Sequence, residues 1–294
     1  MLVVDYKTRK VQRNTWKEVK DLKAGDRVVL HNHGDFQWQG AGTRQEGWLL
    51  GNLYGDGNIE KNQKANLDYW GGSREIMMER AVALVHGTVG GRSDLSGHIS
   101  RTGYARVGST RLGMLADRYE MTSENKLPQG KIEEASSDFY EGFLQGWFDA
   151  DGSVQGNQLK GVSVRLSSNS LIALETAQRM LARLGVVGTI YKNRRDMQYR
   201  ELPDGKGGVK SYLCQANHEL VIQSSNVEMF ARRINFSDPT KKEKLANTLS
   251  HYKRALNKEP FSAAVSSVIS RGKEQVFDCT VPPVSAFDGN GVYL

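Results

Sequence analysis

Cysteine is nearly missing from this chain. Cys214 and Cys279 are the two in 294 residues, and neither has partners at metal-ligand spacing. Neither a disulfide framework nor a thiolate zinc site is indicated, and both thiols are expected to be buried. Long apolar runs are missing too: none approaches the ~18 residues a membrane span needs. The first residues, Met1-Leu2-Val3-Val4-Asp5-Tyr6-Lys7, have no basic region leading into an apolar one, so a cytoplasmic protein is expected. Histidine is sparse, six in all. His31 and His33 lie close together without a third candidate ligand nearby, which predicts a solvated loop.

The composition is otherwise that of a soluble chain with a real core, 38% hydrophobic with a mean hydropathy of -0.53. Its length suffices for two domains or a duplicated one. Lys and Arg number 40 against 33 for Asp and Glu, a net charge of +7, and the pI is about 9.3. That balance fits a polyanionic partner without demanding one.

Two stretches are copies of one another, Glu46-Gly47-Trp48-Leu49-Leu50-Gly51-Asn52-Leu53-Tyr54-Gly55-Asp56-Gly57 and Glu141-Gly142-Phe143-Leu144-Gln145-Gly146-Trp147-Phe148-Asp149-Ala150-Asp151-Gly152. At a constant offset of 95 residues, six of the twelve positions are identical. Each copy reads as a helix with small residues at every fourth position, Gly47/Gly51/Gly55 and Gly142/Gly146/Ala150, which places them on one face. Glycine inside a helix costs up to ~1 kcal/mol relative to alanine, so the stripe needs compensation. Close backbone contact supplies it, and the partner with a matching stripe is the other copy. The two helices are therefore expected to pack together with their carboxyl-terminal ends side by side.

Asp56 and Asp151 sit at those ends, each followed by a glycine suited to ending the helix in a left-handed conformation. A carboxylate there faces the negative end of the macrodipole, and a second one beside it adds repulsion. A cation is expected between them, and Mg²⁺ in particular is held by one or two carboxylates with water and phosphate oxygens. The bland alternative is that Asp-Gly merely caps two helices.

At these residues the chain resembles the LAGLIDADG homing endonucleases in their two-motif, monomeric form. Leu49 to Gly57 and Leu144 to Gly152 are the nine-residue motifs; the first departs from consensus at Asn52, Tyr54 and Gly55. The resemblance implies an α+β fold of tandem pseudo-twofold repeats, αββαββα in type, forming a saddle over DNA. It implies Asp56 and Asp151 as catalytic metal ligands for Mg²⁺, with Mn²⁺ as a substitute, and the backbone carbonyls of Gly55 and Ala150 beside them. Lys126 is the lysine ahead of the second motif.

A second internal match supports the duplication: Met114/Met229, Ala116/Ala231, Arg118/Arg233 and Lys126/Lys241 recur at an offset of 115. It assigns Lys241 to the second half, in competition with Lys242 and Lys244. Strands are expected at Ala65 to Trp70, at His98 to Val107, which reads as exposed, and at Val162 to Leu166, Gly188 to Arg194 and His218 to Gln223. Helices are expected at Arg74 to Val85, ended by Gly87, at Thr110 to Tyr119 and at Leu171 to Leu184. Arg195 to Tyr212 reads as a hairpin-like insertion of the second half. Reading a duplex needs strands that carry Arg, Lys and Gln into the major groove. The candidates are Lys61, Gln63, Lys64, Arg101, Arg106, Lys160, Arg165, Lys192, Arg194, Arg195 and Arg200.

The two ends read differently. Leu22-Lys23-Ala24-Gly25-Asp26 is a turn that feeds a strand at Arg27 to Leu30, and the last stretch, from Val276, suggests short strands separated by Pro-Pro and Gly-Asn-Gly turns. Together they resemble the β-rich, Hint-like halves of an intein splicing domain, the tail being close to those of ribonucleotide reductase inteins. With Ser285 where many inteins have His, and without the terminal His-Asn, the chain is expected not to splice alone, whether it is a trimmed intein, a decayed remnant, or one half of a split intein whose partner would be a missing amino-terminal intein fragment.

The expected layout is a splicing-domain fragment at 1–40, repeats at 41–127 and 137–257 joined by a linker at 128–136, and a second fragment at 258–294. The expected function is site-specific, metal-dependent cleavage of both strands of a long DNA target by a microbial or phage-encoded monomer with an internal pseudo-dimer, leaving 3′ overhangs. The rivals are a DNA-binding maturase or regulator on the same scaffold and a protein-splicing element.

Overall fold

The computed structural model describes residues 1–8, 11–101, 103–157, 159, 161–203, 208–275, 282 and 286–294. The chain divides into a larger unit, Gly34–Lys258, and a smaller one built from Met1–His33 and Glu259–Leu294. Lys160, Cys279 and Ser285, named above, lie outside the described residues, as does the tip of the insertion at 204–207.

The smaller unit starts with β1 (Leu2–Lys7), β2 (Gln12–Trp16) and β3 (Arg27–Val29). Gly25, at φ +93°, makes the turn into β3, whose Val28 and Val29 are buried.

The larger unit contains one motif in two copies. The first half runs α1 (Arg44–Asp56), β4 (Gly57–Ile59), β5 (Ala65–Tyr69), α2 (Arg74–Val89), β6 (Ser96–Ile99), β7 (Ala105–Ser109) and α3 (Thr110–Arg118). The second runs α4 (Ser137–Asp151), β8 (Gly152–Gln155), β9 (Ser163–Ser168), α5 (Leu171–Arg183), β10 (Gly188–Arg195), β11 (Gln198–Pro203), β12 (Val209–Cys214), β13 (Asn217–Gln223) and α6 (Asn226–Arg233), followed by α7 (Pro239–Ser250). The sheets have orders β4-β5-β7-β6 and β8-β9-β13-β10, the same topology once the separate β11–β12 hairpin is set aside. That hairpin is the predicted insertion. The αββαββα expectation holds.

Local chemistry starts both motif helices. Thr43 Oγ1 accepts from Glu46 N–H at 3.2 Å while the Glu46 carboxylate accepts from Thr43 N–H at 2.9 Å, a capping box worth about 1 kcal/mol. Ser136 Oγ accepts from Phe139 N–H at 3.1 Å. Helix α4 is buried on all sides from Phe139 to Asp149, and Trp48, Leu49, Leu50 and Leu53 bury α1 in the same core.

Several expectations are corrected. Helix α2 passes through Gly87 and stops at Gly90, whose φ of +77° only glycine adopts readily. His98 to Val107 is a hairpin with Gly103 at φ +87° in its turn, and β7 is largely buried. Gly57 and Gly152 are extended, at φ -106° and -78°, so neither ends its helix in a left-handed conformation. What they need is space: a Cβ on Gly57 would lie 2.7 Å from Asn66 O, and one on Gly152 2.4 Å from Phe148 O. The linker is packed, with Ile132 and Ala135 buried. Cys214 is half-buried, where full burial was expected.

The smaller unit is completed by β14 (Ser262–Ala264), which joins the sheet β14-β3-β1-β2, and by the hairpin of β15 (Asp288–Gly289) and β16 (Val292–Tyr293). Asn290 and Gly291, at φ +54° and +81°, give that hairpin the primed turn its Gly-Asn-Gly sequence calls for. Leu30 bridges to Val292, and Val3, Leu22 and Val28 form a small core. The two ends of the sequence thus build one β-module. His31 and His33 are half-buried here, which corrects the expectation of a solvated loop; both reach Asp288, 257 residues beyond His31.

Candidate metal and phosphodiester site

The small-residue stripes bring α1 and α4 together backbone to backbone. A Cβ on Gly47 would lie 2.2 Å from Phe139 O, on Gly51 2.1 Å from Phe143 O, on Gly142 1.9 Å from Arg44 O and on Gly146 2.2 Å from Trp48 O. At the carboxyl-terminal ends a Cβ on Gly55 would lie 2.4 Å from Ala150 Cβ and 3.4 Å from Asp151 Oδ2. The Asp151 carboxylate therefore rests against the backbone next to Asp56.

Both carboxylates reach solvent, yet the protein around them strips part of their hydration. Burial pushes Asp56 up to about 6; the Asp151 carboxylate adds to the shift, Lys241 opposes it, Asp68 adds again and Lys126 opposes. Burial likewise pushes Asp151 up, against the indole N–H of Trp147, which donates to its Oδ2 at 3.0 Å, and against Lys241 and Lys126. The two acids are crowded at the negative ends of two helices, where negative charge is least welcome.

The lysines occupy equivalent places. Lys126 Nζ donates to Leu53 O at 3.0 Å, to Tyr54 O at 3.2 Å and to Gly57 O. Lys241 Nζ donates to Phe148 O at 3.3 Å, to Asp149 O and to Ala150 O at 3.0 Å. Each ammonium sits on the carbonyls of its own half's motif helix, a favourable place for a cation. Burial lowers both lysines; Asp151 and Asp56 pull Lys126 back up, and Asp149 and Asp238, then Asp56 and Asp151, do the same for Lys241. Lys242 and Lys244 are exposed, so Lys241 alone of the three takes the position equivalent to Lys126. Ala150 O, expected beside the metal, accepts from Lys241; Lys126 passes over the equivalent carbonyl of Gly55.

A buried carboxylate that the sequence did not single out supports this arrangement. Asp149 accepts from Trp48 Nε1 at 2.9 Å, from Ser237 N–H at 2.8 Å, from Asp238 N–H at 3.0 Å and from the Ser237 hydroxyl. It ties α1 to the start of α7. There Asp238 caps the helix through Lys241 N–H at 2.9 Å, with Pro239 in the first turn. Asp followed by Pro is a helix-start signal, and it would have singled out Lys241. Asp68, whose charge adds to the upward shift of Asp56, is likewise not legible in the sequence, because a lone Asp in a strand carries no pattern.

Of the DNA-contact candidates, Lys61 and Gln63 lie in the β4–β5 turn and Lys64 follows them, its side chain covering Gly108. Arg101 is exposed in the β6–β7 turn, and Lys192, Arg194 and Arg195 are exposed on β10. Arg106 is engaged by Asp68 through two bonds of 2.6 Å. Arg165 donates to Glu219 at 3.2 Å, and Arg194 lies 3.5 Å from the same carboxylate. Arg200 lies on β11, in the separate two-stranded β11–β12 sheet.

The raised Asp56 pKa fixes the sign of a pH effect. Below its ordinary value of 3.8 the carboxyl is protonated whether the chain is folded or not; between 3.8 and about 6 folding becomes less favourable, and above 6 the whole cost is present. Without divalent cation, Asp56→Asn is therefore expected to raise Tm at pH 7.5 by about 1–3 °C, reduced by solvent screening, and to leave Tm unchanged at pH 4. Calorimetry at the two pH values checks it; an equal shift at both would remove the electrostatic account.

Residues 138–235 match the family model described as a LAGLIDADG-like domain. The chain is 27% identical over 300 residues to the ribonucleoside-diphosphate reductase NrdEB subunit alpha of Bacillus subtilis, an alignment that takes in 94% of this chain and 27% of that protein. It thus spans about a quarter of the length of that relative. Among solved structures it is similar to mesophilic variants of the homing endonuclease I-DmoI, with a TM-score of 0.46 and 17% identity over 69% of this chain and 97% of the other. It is also similar to I-DmoI in complex with DNA and Mn, with a TM-score of 0.42 and 17% identity over 65% and 96%. Residues 138–235 are thus similar to a LAGLIDADG-like domain, and the same order of helices and strands occurs twice in the chain, once on each of its two motif helices.

Proposed function

We propose that the larger unit is a site-specific endonuclease that hydrolyses one phosphodiester in each strand of a DNA duplex, using divalent metal held between Asp56 and Asp151. The observation that carries this is the duplicated set of one helix-end carboxylate and one carbonyl-held lysine, joined across backbone-to-backbone helices. Mg²⁺ fits the donor set of two carboxylates with room for water and phosphate oxygens. When bound it supplies Lewis acidity and an acidified water.

The chain's own residues do the rest. Asp56 and Asp151 orient the cation-binding oxygens through the rigid contact of α1 with α4. Lys126 and Lys241 hold positive charge beside the scissile phosphate, where charge develops in the pentavalent transition state. Their lowered pKa values let them exchange a proton with a water at the Nζ atom more readily than a solvated lysine would. Because Asp56 must lose its proton to bind a cation, divalent-metal affinity and cleavage are expected to rise between pH 5 and pH 7. A flat cleavage profile across that range would deny Asp56 a ligand's role.

Sequence is read, in this proposal, by the exposed basic residues at the turns and strands of the two sheets. The experiment that tests the function is selection of cut sites from a randomised duplex library with Mg²⁺: recovery of one long target, cut with 3′ overhangs, supports it. Tight binding without cutting would favour a regulator on the same scaffold.

A second reading concerns the smaller unit. Almost the whole chain aligns within a ribonucleotide reductase subunit, and both chain ends meet in one β-module. We propose that the module belongs to a protein-splicing element interrupting such a reductase. Supplying an amino-terminal intein fragment and looking for a ligated product tests it.

A further inference from the structure

Three side chains from opposite ends of the sequence converge in the smaller unit. His31 Nδ1 lies 2.7 Å and His33 Nε2 2.9 Å from the same atom, Asp288 Oδ2. One donor atom from each residue lies within 4.8 Å of the other two, and this is the one such grouping of three His, Cys, Asp or Glu among the described residues. The backbone holds it in place: His31 N–H donates to Gly291 O at 2.8 Å, and Gly291 N–H donates to Asp288 Oδ1 at 2.9 Å. Asp288 Oδ1 is thereby engaged and Oδ2 is turned to the rings. The imidazoles are 4.2 Å apart, centroid to centroid, and tilted by 56°, with the Tyr293 ring 5.1 Å from His31.

Two imidazoles directed at one carboxylate oxygen must each present an N–H to it. A single cation in place of those two protons would engage all three donors at once. A tetrahedral ion with bonds of 2.0–2.2 Å keeps its ligands about 3.3 Å apart, so the present spacings need to open by about half an ångström, within the reach of side-chain torsions. Two neutral imidazoles and a carboxylate suit Zn²⁺, and by the same softness Co²⁺ or Ni²⁺, whereas Mg²⁺ prefers oxygen alone. The side chains remain 23%, 18% and 28% exposed, which leaves a fourth position open to water.

We propose that His31, His33 and Asp288 bind one Zn²⁺-class ion, which fastens the chain just after β3 to the β15–β16 hairpin. Ligands this far apart in sequence make the ion a closure of the whole chain, and an ion that binds the folded state alone stabilises it. The inference stands on the smaller unit's own geometry and is independent of the nuclease reading.

The test is titration of the full chain with Zn²⁺, and with Co²⁺ as a spectroscopic probe, in saturating Mg²⁺. One equivalent should bind with a tetrahedral cobalt spectrum, and His31→Ala, His33→Gln and Asp288→Asn should each weaken it tenfold or more. The Asp56→Asn/Asp151→Asn double variant should bind as the parent does. Zinc should raise Tm of the parent and not of the three variants. No uptake at tenfold excess, unchanged affinity in the three variants, or thiolate-to-cobalt charge-transfer absorption would each overturn the assignment.

Discussion

Asp56→Asn and Asp151→Asn are each expected to slow cleavage of at least one strand by about three orders of magnitude, with DNA affinity kept within a few-fold. Asparagine preserves the shape of the side chain and its packing at the helix end, so the helix pair should be undisturbed. What is lost is an anionic oxygen where transition-state charge is neutralised, and removing a single preorganised group of that kind costs about 10²–10³ in rate; a direct cation ligand stands at or above the upper end. Binding should survive because contact with duplex DNA is dominated by phosphate neutralisation from Lys and Arg, and the substitution removes a negative charge. Since each half carries its own carboxylate and lysine, one variant should nick a supercoiled plasmid bearing the selected target in one strand and the other variant in the opposite strand. Parental rates on both strands from either variant would end the assignment of that aspartate.

The pseudo-twofold core was legible because it rests on patterns a chain cannot hide. A glycine stripe at helical spacing, repeated at constant offset, has few purposes besides close helix packing, and the structure puts Gly51 and Gly142 against bare carbonyls. The second repeat was equally informative: Arg118 and Arg233, matched at an offset of 115, both pair with the motif glutamates, Arg118 with Glu46 at 3.1 Å and Arg233 with Glu141 at 2.9 Å. Illegible were features set by three-dimensional neighbours. Nothing in the spacing of His98 to Val107 distinguishes one strand from a hairpin. Gly87 reads as a stop, but the helix continues until Gly90 supplies the positive φ. Arg106 looked like a free groove reader, and only the strand register that sets it opposite Asp68 shows it engaged. Asp288 lies too far from His31 for any local pattern to join them.

Gly142→Ala and Gly51→Ala should each destabilise the protein strongly, although alanine is by itself the better helix former. The intrinsic gain is about 0.5–1 kcal/mol. Against it, the new methyl would lie 1.9 Å from Arg44 O in one case and 2.1 Å from Phe143 O in the other, and the obstacle is backbone, which no side-chain rotation can move aside. Relief requires α1 and α4 to separate by about 1 Å or more through a core in which Trp48, Phe143, Leu144 and Trp147 are buried. Overpacking of that kind costs about 1–3 kcal/mol and sometimes more, so Tm should fall by about 3–8 °C. Gly87→Ala is the control: a Cβ there meets nothing within 4 Å, and the helix-propensity gain should appear as a small rise in Tm. The stripe also sets the spacing of Asp56 and Asp151, and a misplacement of 1 Å at a reacting centre can cost about 10²-fold in rate. Gly51→Ala should therefore lose cleavage at temperatures where circular dichroism still shows it folded. Parental Tm and activity in both stripe variants would mean that the helices have room to spare and that their close approach does not position the acids.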